Sequence, residues 1–319
     1  MPDSVWLTAQ TCARVQRSGR YLPDTAAHPA KMLPAIAAHA VTHYTRPGDL
    51  VLDPMCGTGT TLVEAAHLGR IAVGVEYEPR WARIALGNLQ HATRQGAPGM
   101  GRVFQGDARD LLRLLPAEQH GQVALVVTSP PYGNSVHGQV RSTRETGRPK
   151  IQKFDHRYGT DRANLAHVGT DRLLDAFTAI LTQCRHALRP GGTAVITARP
   201  WRERGELVDL PTAVLAAGEA AGLIPTERCV ALLAGIRDGR LITRPSFFQL
   251  KNLRDARAQG LPLHLIAHED TLIFRRPNAG THCTAKTVGA ATRRCKARSA
   301  TTSTAAACRT RTCAQDAGQ

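Results

Sequence analysis

The chain has 319 residues, of which 42% are hydrophobic, so it is long enough for one large α/β domain or two small ones. Its 41 Lys and Arg residues outnumber its 25 Asp and Glu residues, and the net charge of +16 favours a polyanionic partner. The sequence has no apolar run of about 18 residues and no charged N-terminal segment followed by an apolar one. We therefore expect neither a membrane span nor a signal peptide, and we predict a cytoplasmic protein.

The eight cysteines indicate reduced thiols. Four of them are widely scattered, and the four in the last 40 or so residues lack the CxxC spacing of a zinc site. We predict no metal site.

The first half of the chain alternates short apolar runs with segments of helical period. Residues 1–27 show no clear period and are interpreted as an N-terminal arm. The predicted helices lie at 32–44, 62–68, 81–89 and from 111 onwards, and the predicted strands at 49–53, 71–75, 102–105 and 124–127. Strands that alternate with helices imply a parallel sheet with right-handed crossovers.

The second half continues this alternation after a long basic loop. Residues 135–170 have no clear period and carry seven Arg or Lys residues against three Asp or Glu residues, so they could contact phosphates or could be a solvated insertion. Helices are predicted at 171–188 and 207–221, and strands at 193–197, 229–233 and 270–274. Residues 277–319 carry seven basic residues and one acidic residue without periodicity, and we predict a disordered basic tail.

A glycine loop follows the first predicted strand, in the segment DPMCGTGTT. A dinucleotide fingerprint would need a glycine at position 62, where the chain has Leu62, and the P-loop pattern also fails. What remains is a tight turn at a helix N-terminus, where free backbone N–H groups favour an anion.

Two acidic residues stand at the ends of the next two strands. Glu76 is placed to hold ribose hydroxyls, and Asp107 could accept a hydrogen bond from an adenine amino group. Each could also be an ordinary solvated strand end. With the glycine loop, however, they mark three successive strand ends on one edge of a parallel sheet, where such sheets bind ligands.

The segment TSPPYGNS follows the strand at 124–127. Pro130 and Pro131 have a fixed φ and no N–H, and they lie beside the hydroxyl of Ser129 and the aromatic face of Tyr132. Such a loop can receive a flat ring that bears an amine. Alternatively, the two prolines merely end a strand.

Together, HPAKMLPAIAAHAV, VLDPMCGTGTT, GVEYE, GDARDL and VVTSPPYGNS resemble the S-adenosylmethionine-dependent amino methyltransferases of DNA, the N4-cytosine and N6-adenine family. The cofactor loop precedes the SPPY loop, which is similar to the order of the gamma group. The resemblance implies a Rossmann-like α/β fold: a seven-stranded class I methyltransferase sheet in three αβα layers, over residues 28–276.

The resemblance also implies the roles of individual residues. Ser129, Pro130, Pro131 and Tyr132 would form the catalytic loop, in which the first two accept hydrogen bonds from the target amine and Tyr132 stacks on the base. The S-adenosylmethionine site would comprise Lys31, Asp53, Pro54, Cys56, Gly57, Thr58, Gly59, Thr60, Glu76, Asp107 and Ala108. Candidate nucleic-acid contacts in the basic loop are Arg141, Arg144, Lys150, Lys153 and Arg157.

The expected reaction is methyl transfer to an exocyclic amine of a base in DNA, preferentially N4 of cytosine because SPPY is more typical of those enzymes, with N6 of adenine as the other choice. A C5-cytosine enzyme would need a nucleophilic cysteine after a proline, and no Pro-Cys pair occurs. One alternative is a tRNA guanine-N2 methyltransferase, although residues 1–27 are too short for the separate RNA-binding domain that such enzymes carry. Another is a non-catalytic nucleic-acid-binding protein with this fold.

Overall fold

The computed structural model describes residues 3–131, 139–141, 152–154, 165, 170–203, 206–245 and 247–278. The described strands are β1 Val5–Trp6, β2 Leu50–Asp53, β3 Ile71–Glu76, β4 Met100–Gln105, β5 Val123–Thr128, β6 Gln139–Arg141, β7 Gln152–Phe154, β8 Leu188–Ala198, β9 Trp201–Glu203, β10 Glu206–Val208, β11 Ile224–Leu232, β12 Ala234–Arg237, β13 Arg240–Thr243 and β14 His268–Arg275. The described α-helices are α1 Ala13–Arg17, α2 Pro34–Tyr44, α3 Thr60–His67, α4 Pro79–Arg94, α5 Leu111–Leu114, α6 Thr170–Ala187, α7 Leu210–Ala220 and α8 Phe247–Ala258.

Local sequence signals explain where several helices begin. A proline stands in the first turn of α2, α4 and α7, where its missing N–H has no intrahelical partner to lose. The side chain of Asp209 accepts from the backbone N–H of Thr212 at 3.2 Å and thereby caps α7. Helix α4 is longer than the 81–89 predicted from its apolar stripe, because its polar ends continue the helix beyond that stripe.

Eight of the described strands form one sheet in the order β1-β11-β14-β8-β5-β2-β3-β4. Strands β2, β3, β4, β5 and β8 are parallel, whereas β14 runs antiparallel between β8 and β11. This order, with the single reversed strand, is that of the class I methyltransferase sheet, and the predicted fold class is confirmed. The sheet has one strand more than the seven predicted, because the two-residue strand β1 pairs with β11 at one edge.

Helices cover both faces of the sheet, which gives three layers. Leu111, Phe177 and Val214, from α5, α6 and α7, belong to one buried cluster with β5 and β8 side chains. Ile36 and Leu62, from α2 and α3, belong to a second cluster on the other face, together with residues of α4. Burial of the large apolar side chains in these two clusters supplies the main driving force for this arrangement.

Residues 3–27, interpreted from sequence as an arm, pack against the domain. Trp6 is 2% exposed and its ring stacks on that of His39 with centroids 4.2 Å apart. Tyr21 is also buried, and its hydroxyl donates to Glu64 Oε1 at 2.6 Å. These contacts join residues that are far apart in the sequence, so no local hydrophobic period predicts them.

Several sequence predictions lie outside the described residues. These include the side chains of the candidate phosphate contacts in the basic loop between β5 and α6, and residues 279–319 of the predicted tail. Of the helices in the described ranges, none combines the length and apolarity needed to cross a bilayer.

Candidate active site

The predicted site residues converge on one edge of the sheet. Asp53 ends β2 and Glu76 ends β3, while Asp107 follows β4 and Ser129 follows β5. The register aligns these ends, because Asp53 pairs with Gly74 two residues before Glu76, in parallel strands. The carboxyl ends of neighbouring parallel strands therefore bring these side chains to one edge, as expected for a ligand site in such a sheet.

The glycine loop between β2 and α3 requires glycine for two physical reasons. Gly57 and Gly59 have φ angles of +54° and +82°, which residues with a Cβ rarely adopt. A Cβ on Gly59 would also lie 3.3 Å from Cα of Ala85, in the backbone of α4. The N–H of Gly59 donates to the carbonyl of Cys56 at 2.7 Å, so the chain turns tightly before α3 begins at Thr60.

Asp53 lies beneath this loop and is 5% exposed. Its carboxylate accepts from the hydroxyl of Thr61 at 2.7 Å and from the backbone N–H of Met55 at 3.2 Å. Burial raises the pKa of Asp53 to about 6, although these hydrogen bonds oppose the rise. Asp53 thus links the end of β2 to the first turn of α3 and fixes the loop between them.

Glu76 binds the loop from the neighbouring strand. Its two carboxylate oxygens accept from the backbone N–H groups of Gly57 at 2.8 Å and Glu78 at 2.9 Å. Burial raises the pKa of Glu76 to about 7, against these hydrogen bonds, and the nearby charges of Asp53 and Glu78 contribute to the rise. A carboxylate oxygen has more than one acceptor site, so Glu76 can hold the loop and still accept from a ligand hydroxyl.

His28 covers the glycine loop from the segment before α2. A Cβ on Gly57 would lie 3.2 Å from Nε2 of His28, whose ring meets Trp81 edge to face with centroids 4.7 Å apart. Burial, with a smaller contribution from the charge of Lys31, lowers the pKa of His28 to about 3, so the imidazole is neutral. Lys31 donates to the backbone carbonyl of His28, and burial lowers the pKa of Lys31 to about 8.

Asp107 lies at the same edge, but unlike Asp53 and Glu76 it binds Arg109. Its side chain caps a short 3₁₀ helix by accepting from the backbone N–H of Arg109 at 2.8 Å, and it also pairs with the Arg109 guanidinium. Partial burial would raise the pKa of Asp107, but the hydrogen bonds from Arg109 exceed that effect and lower it. Asp107 is therefore an ionised acceptor at neutral pH.

The acceptor loop begins where β5 ends. Thr128 is fully buried, Pro130 is buried, and Ser129 and Pro131 are half-buried. Tyr132 lies outside the described residues, as do Arg144, Lys150 and Arg157. Arg141 falls in β6 and Lys153 in β7, whose side chains are likewise outside the described part.

The remaining predicted cofactor residues surround the glycine loop. Pro54 and Cys56 are buried in it, Thr58 and Thr60 are 2% and 5% exposed, and Ala108 is buried beside Asp107. Thr60 also accepts from the Arg17 guanidinium at 3.1 Å through its hydroxyl. The structure thus brings all eleven predicted cofactor residues to the carboxyl edge of the sheet or to the segment that covers it.

Asn88 is a supporting residue that the sequence reasoning missed. It is fully buried in α4, donates to the carbonyl of Thr58 and to the hydroxyl of Thr25, and accepts from the N–H of Leu22. Asn88 therefore joins the N-terminal segment to the glycine loop. Its signal in the sequence is a single amide on the apolar face of an amphipathic helix.

The hydrogen-bond acceptors at this edge fit a nucleoside-containing cofactor such as S-adenosylmethionine. Acceptors end two strands and follow a third, and the loop between β2 and α3 leaves no room for side chains at Gly57 and Gly59 without displacing His28 or α4. A ribose diol and an adenine amino group are hydrogen-bond donors, which matches these carboxylates. Within the described ranges, no cluster of His, Cys, Asp or Glu side chains could hold a metal ion.

Comparisons with known proteins agree with this fit. A family model described as DNA methylase, N6_N4_Mtase, matches residues 2–87. The chain is 34% identical over 122 residues to a tRNA (guanine(10)-N2)-dimethyltransferase of Methanocaldococcus jannaschii, a match that covers 37% of this chain and 34% of the relative. It is 30% identical over 89 residues to the type II methyltransferase M.ScaI of Streptomyces caespitosus, covering 28% of each protein.

Among solved structures, TrmN from Thermus thermophilus aligns with a TM-score of 0.45 and 16% sequence identity. The alignment covers 83% of this chain and 53% of that structure. The chain spans about a third or less of the length of the two curated relatives that it matches.

Proposed function

We propose that this chain, a relative of the S-adenosylmethionine-dependent amino methyltransferases that has their three-layer fold, methylates the exocyclic amino group of a nucleic-acid base. The observation that carries this proposal is the adjacency of two half-sites on one sheet edge. The glycine loop with Asp53 and Glu76 follows β2 and β3, and the Ser-Pro-Pro loop follows β5, which pairs directly with β2.

S-adenosylmethionine is the methyl donor implied by the family and the fold, and when bound it supplies an electrophilic methyl group on a sulfonium. Glu76 would accept from the ribose hydroxyls and Asp107 from the adenine amino group. Asp53, Pro54, Cys56, Gly57, Thr58, Gly59 and Thr60 would form the floor, with Ala108 beside the adenine and Lys31 near the methionine end. Because the carboxylates of Asp53 and Glu76 are buried and anionic when ionised, they also favour a cationic ligand.

The loop that starts at Ser129 would bind the acceptor amine. An exocyclic amine conjugated with its ring is a poor nucleophile, since its lone pair is delocalised. The Ser129 oxygen and the Pro130 carbonyl can accept its two hydrogens, which favours a pyramidal nitrogen and orients its lone pair. In this proposal Tyr132 stacks on the base. Direct transfer needs no covalent attachment of the base to the protein.

The preferred acceptor is N4 of cytosine in DNA, with N6 of adenine as the other DNA target. The support is the Ser-Pro-Pro-Tyr sequence, the DNA methylase family match and the type II methyltransferase relative. A target amine in a duplex is accessible only after base flipping, and the net charge of +16 suits the phosphates that surround a flipped base. Arg141, Arg144, Lys150, Lys153 and Arg157 remain candidate phosphate contacts.

A second candidate acceptor is N2 of guanine in tRNA. It is favoured by the relative from Methanocaldococcus jannaschii, whose name specifies tRNA and guanine N2. The Pro-Pro-Tyr sequence of the loop also resembles that of such enzymes. The transfer chemistry is the same, because guanine N2 is also an exocyclic amine conjugated with its ring.

One experiment separates the two acceptors. The protein is incubated with methyl-labelled S-adenosylmethionine and either unmethylated DNA or total tRNA, and the nucleic acid is digested to nucleosides. Label in N4-methylcytosine or N6-methyladenine supports the DNA proposal, whereas label only in N2-methylguanosine replaces it with the tRNA proposal. If calorimetry finds no binding of S-adenosylmethionine, both proposals are wrong and a non-catalytic nucleic-acid-binding role is left.

A further inference from the structure

A β-hairpin formed by β12 and β13 lies at the carboxyl edge of the sheet, beyond the candidate active site. It follows β11, whose last residue Leu232 pairs with His268 in β14, and β14 in turn pairs Asp270 with Ala198 at the end of β8. The hairpin therefore starts at the edge where β5 leads into Ser129. Three inter-strand spacings of about 4.8 Å separate β11 from β5, so its base is about 14 Å from the acceptor loop along the sheet.

The hairpin turn has the geometry of a common tight turn. Asp238 and Gly239 form the two-residue turn with φ angles of +48° and +69°, the left-handed pair of a type I′ turn. Such a turn matches the twist of the two strands and fixes their register. The turn therefore fixes which residues next to it pair across β12 and β13.

The base of the hairpin is anchored to the N-terminal segment. Arg244 donates from its guanidinium to the carbonyls of Ala9 at 2.6 Å and Gln10 at 3.2 Å, and the side chain of Gln10 accepts from the N–H of Ile236 at 3.2 Å. Gly235 allows close approach here, because a Cβ on it would lie 3.3 Å from the Ala9 carbonyl oxygen.

Two arginines face each other at the hairpin tip. Arg237 and Arg240 are direct cross-strand partners, and like charges at such positions repel. Both are exposed, and among the described residues neither forms an ion pair. Residues 234–260 carry six basic and two acidic residues, and Lys251–Asp255 in α8 is an ion pair within that stretch. Asp238 in the turn is the other acidic residue of this stretch, so the tip carries a net charge of +1, and a phosphate that contacts both guanidinium groups would offset the remaining repulsion.

We propose that the hairpin tip binds the sugar-phosphate backbone of the acceptor nucleic acid, with Arg237 and Arg240 contacting phosphate. This inference rests on the proposed function and adds a second contact surface to it. The base of the hairpin is about 14 Å from the acceptor loop, a distance that corresponds to about four nucleotides along one strand of a duplex, so the hairpin lies near phosphates a few positions from the base held by Ser129 and Pro130. Phosphate contacts position the nucleic acid without reading its sequence.

The test compares the double variant Arg237→Gln/Arg240→Gln with the charge-matched control Arg46→Gln/Arg94→Gln. Arg46 and Arg94 are exposed and lie at the opposite, amino edge of the sheet, before β2 and at the end of α4. Affinity for the acceptor identified by nucleoside analysis, DNA or tRNA, is measured by fluorescence anisotropy over a range of salt concentrations. Affinity for S-adenosylmethionine is measured by calorimetry, and thermal melts establish that each variant folds.

We expect the hairpin variant to bind the nucleic acid about tenfold more weakly at roughly 0.1 M salt. The slope of log affinity against log salt should decrease in magnitude by about 1.4 to 1.8, the loss of two phosphate contacts. The control should keep most of the wild-type affinity, and both variants should bind S-adenosylmethionine as the wild type does.

Two results would overturn the inference alone. In the first, the wild type binds and methylates nucleic acid, but the hairpin variant binds it as tightly as the control does. The second result concerns the double variant Ile236→Ser/Leu241→Ser, which changes two exposed apolar residues of the hairpin. If this variant alters sedimentation while the arginine variant keeps full nucleic-acid affinity, the hairpin is a contact between copies of the chain. A wild-type protein that binds no nucleic acid would overturn the proposed function as well.

Discussion

Glu76→Gln tests whether a buried carboxylate holds the glycine loop. In the folded protein the pKa of Glu76 is about 7, compared with an ordinary value of 4.5, and burial is the main cause. A carboxyl with a raised pKa binds its proton more readily in the folded state, so its contribution to stability decreases as the pH rises from about 4.5 to about 7. Each tenfold change in proton affinity is worth about 1.4 kcal/mol, so this decrease amounts to about 3 kcal/mol.

The variant should lack this pH dependence. A glutamine cannot ionise, and with one oxygen it can accept from only one of the N–H groups of Gly57 and Glu78, a loss of about 1–3 kcal/mol at all pH values. The free energies of unfolding of wild type and variant can be measured in urea between pH 4.5 and 7.5. The wild-type value minus the variant value should decrease by about 2–3 kcal/mol as the pH rises over this range. The control Glu118→Gln, at an exposed position, should give a difference that stays near zero.

The same variant tests the assignment of Glu76 to the ribose. Loss of a charged acceptor should weaken S-adenosylmethionine binding about tenfold or more, and the tightening of wild-type binding as the pH rises through about 7 should disappear. A stability difference that does not change with pH would show that the Glu76 carboxyl is solvated, and unaltered cofactor affinity would remove it from the site.

The other predictions concern the glycine loop, its support and the acceptor loop. Gly59→Ala should destabilise the fold by more than Gly96→Ala does. Both glycines have φ near +80°, which costs an alanine roughly 1–2 kcal/mol, but of the two only Gly59 lies against the backbone of a helix. Equal losses of stability in the two variants would contradict the close packing of Gly59 against α4. Asn88→Ala removes two buried hydrogen bonds and one partly buried one, so it should lower the free energy of unfolding by about 2–4 kcal/mol and weaken cofactor binding. A loss below about 1 kcal/mol in urea titrations would refute the bridging role of Asn88. Tyr132→Ala should lower turnover in a labelled-methyl assay and leave cofactor affinity nearly unchanged, whereas a large loss of cofactor binding would assign Tyr132 to the other half-site.

The central sheet could be predicted from the sequence because its signals are local. Each buried parallel strand is a short apolar run, and glycine or acidic residues mark where β2 and β3 end. The sequence therefore predicts that the glycine loop, Glu76 and Asp107 lie at one edge of the sheet.

The rest depended on contacts between distant segments. Residues 3–27 show no period, yet Tyr21 meets Glu64 and Leu22 meets Asn88 across more than 40 positions. The hairpin turn at Asp238 and Gly239 has a local signal, since Asp-Gly favours a type I′ turn. Its position at the carboxyl edge of the sheet, however, follows only from the pairing of β11 with β14 and of β14 with β8.

The most direct test of the central claim locates the transferred methyl group. DNA and tRNA are incubated with the wild-type protein and methyl-labelled S-adenosylmethionine, and the nucleosides are fragmented by mass spectrometry. We expect label on an exocyclic nitrogen of one base, and a greatly reduced yield with Ser129→Ala at unchanged cofactor affinity. Label on a ring carbon, a ring nitrogen or the ribose would contradict it.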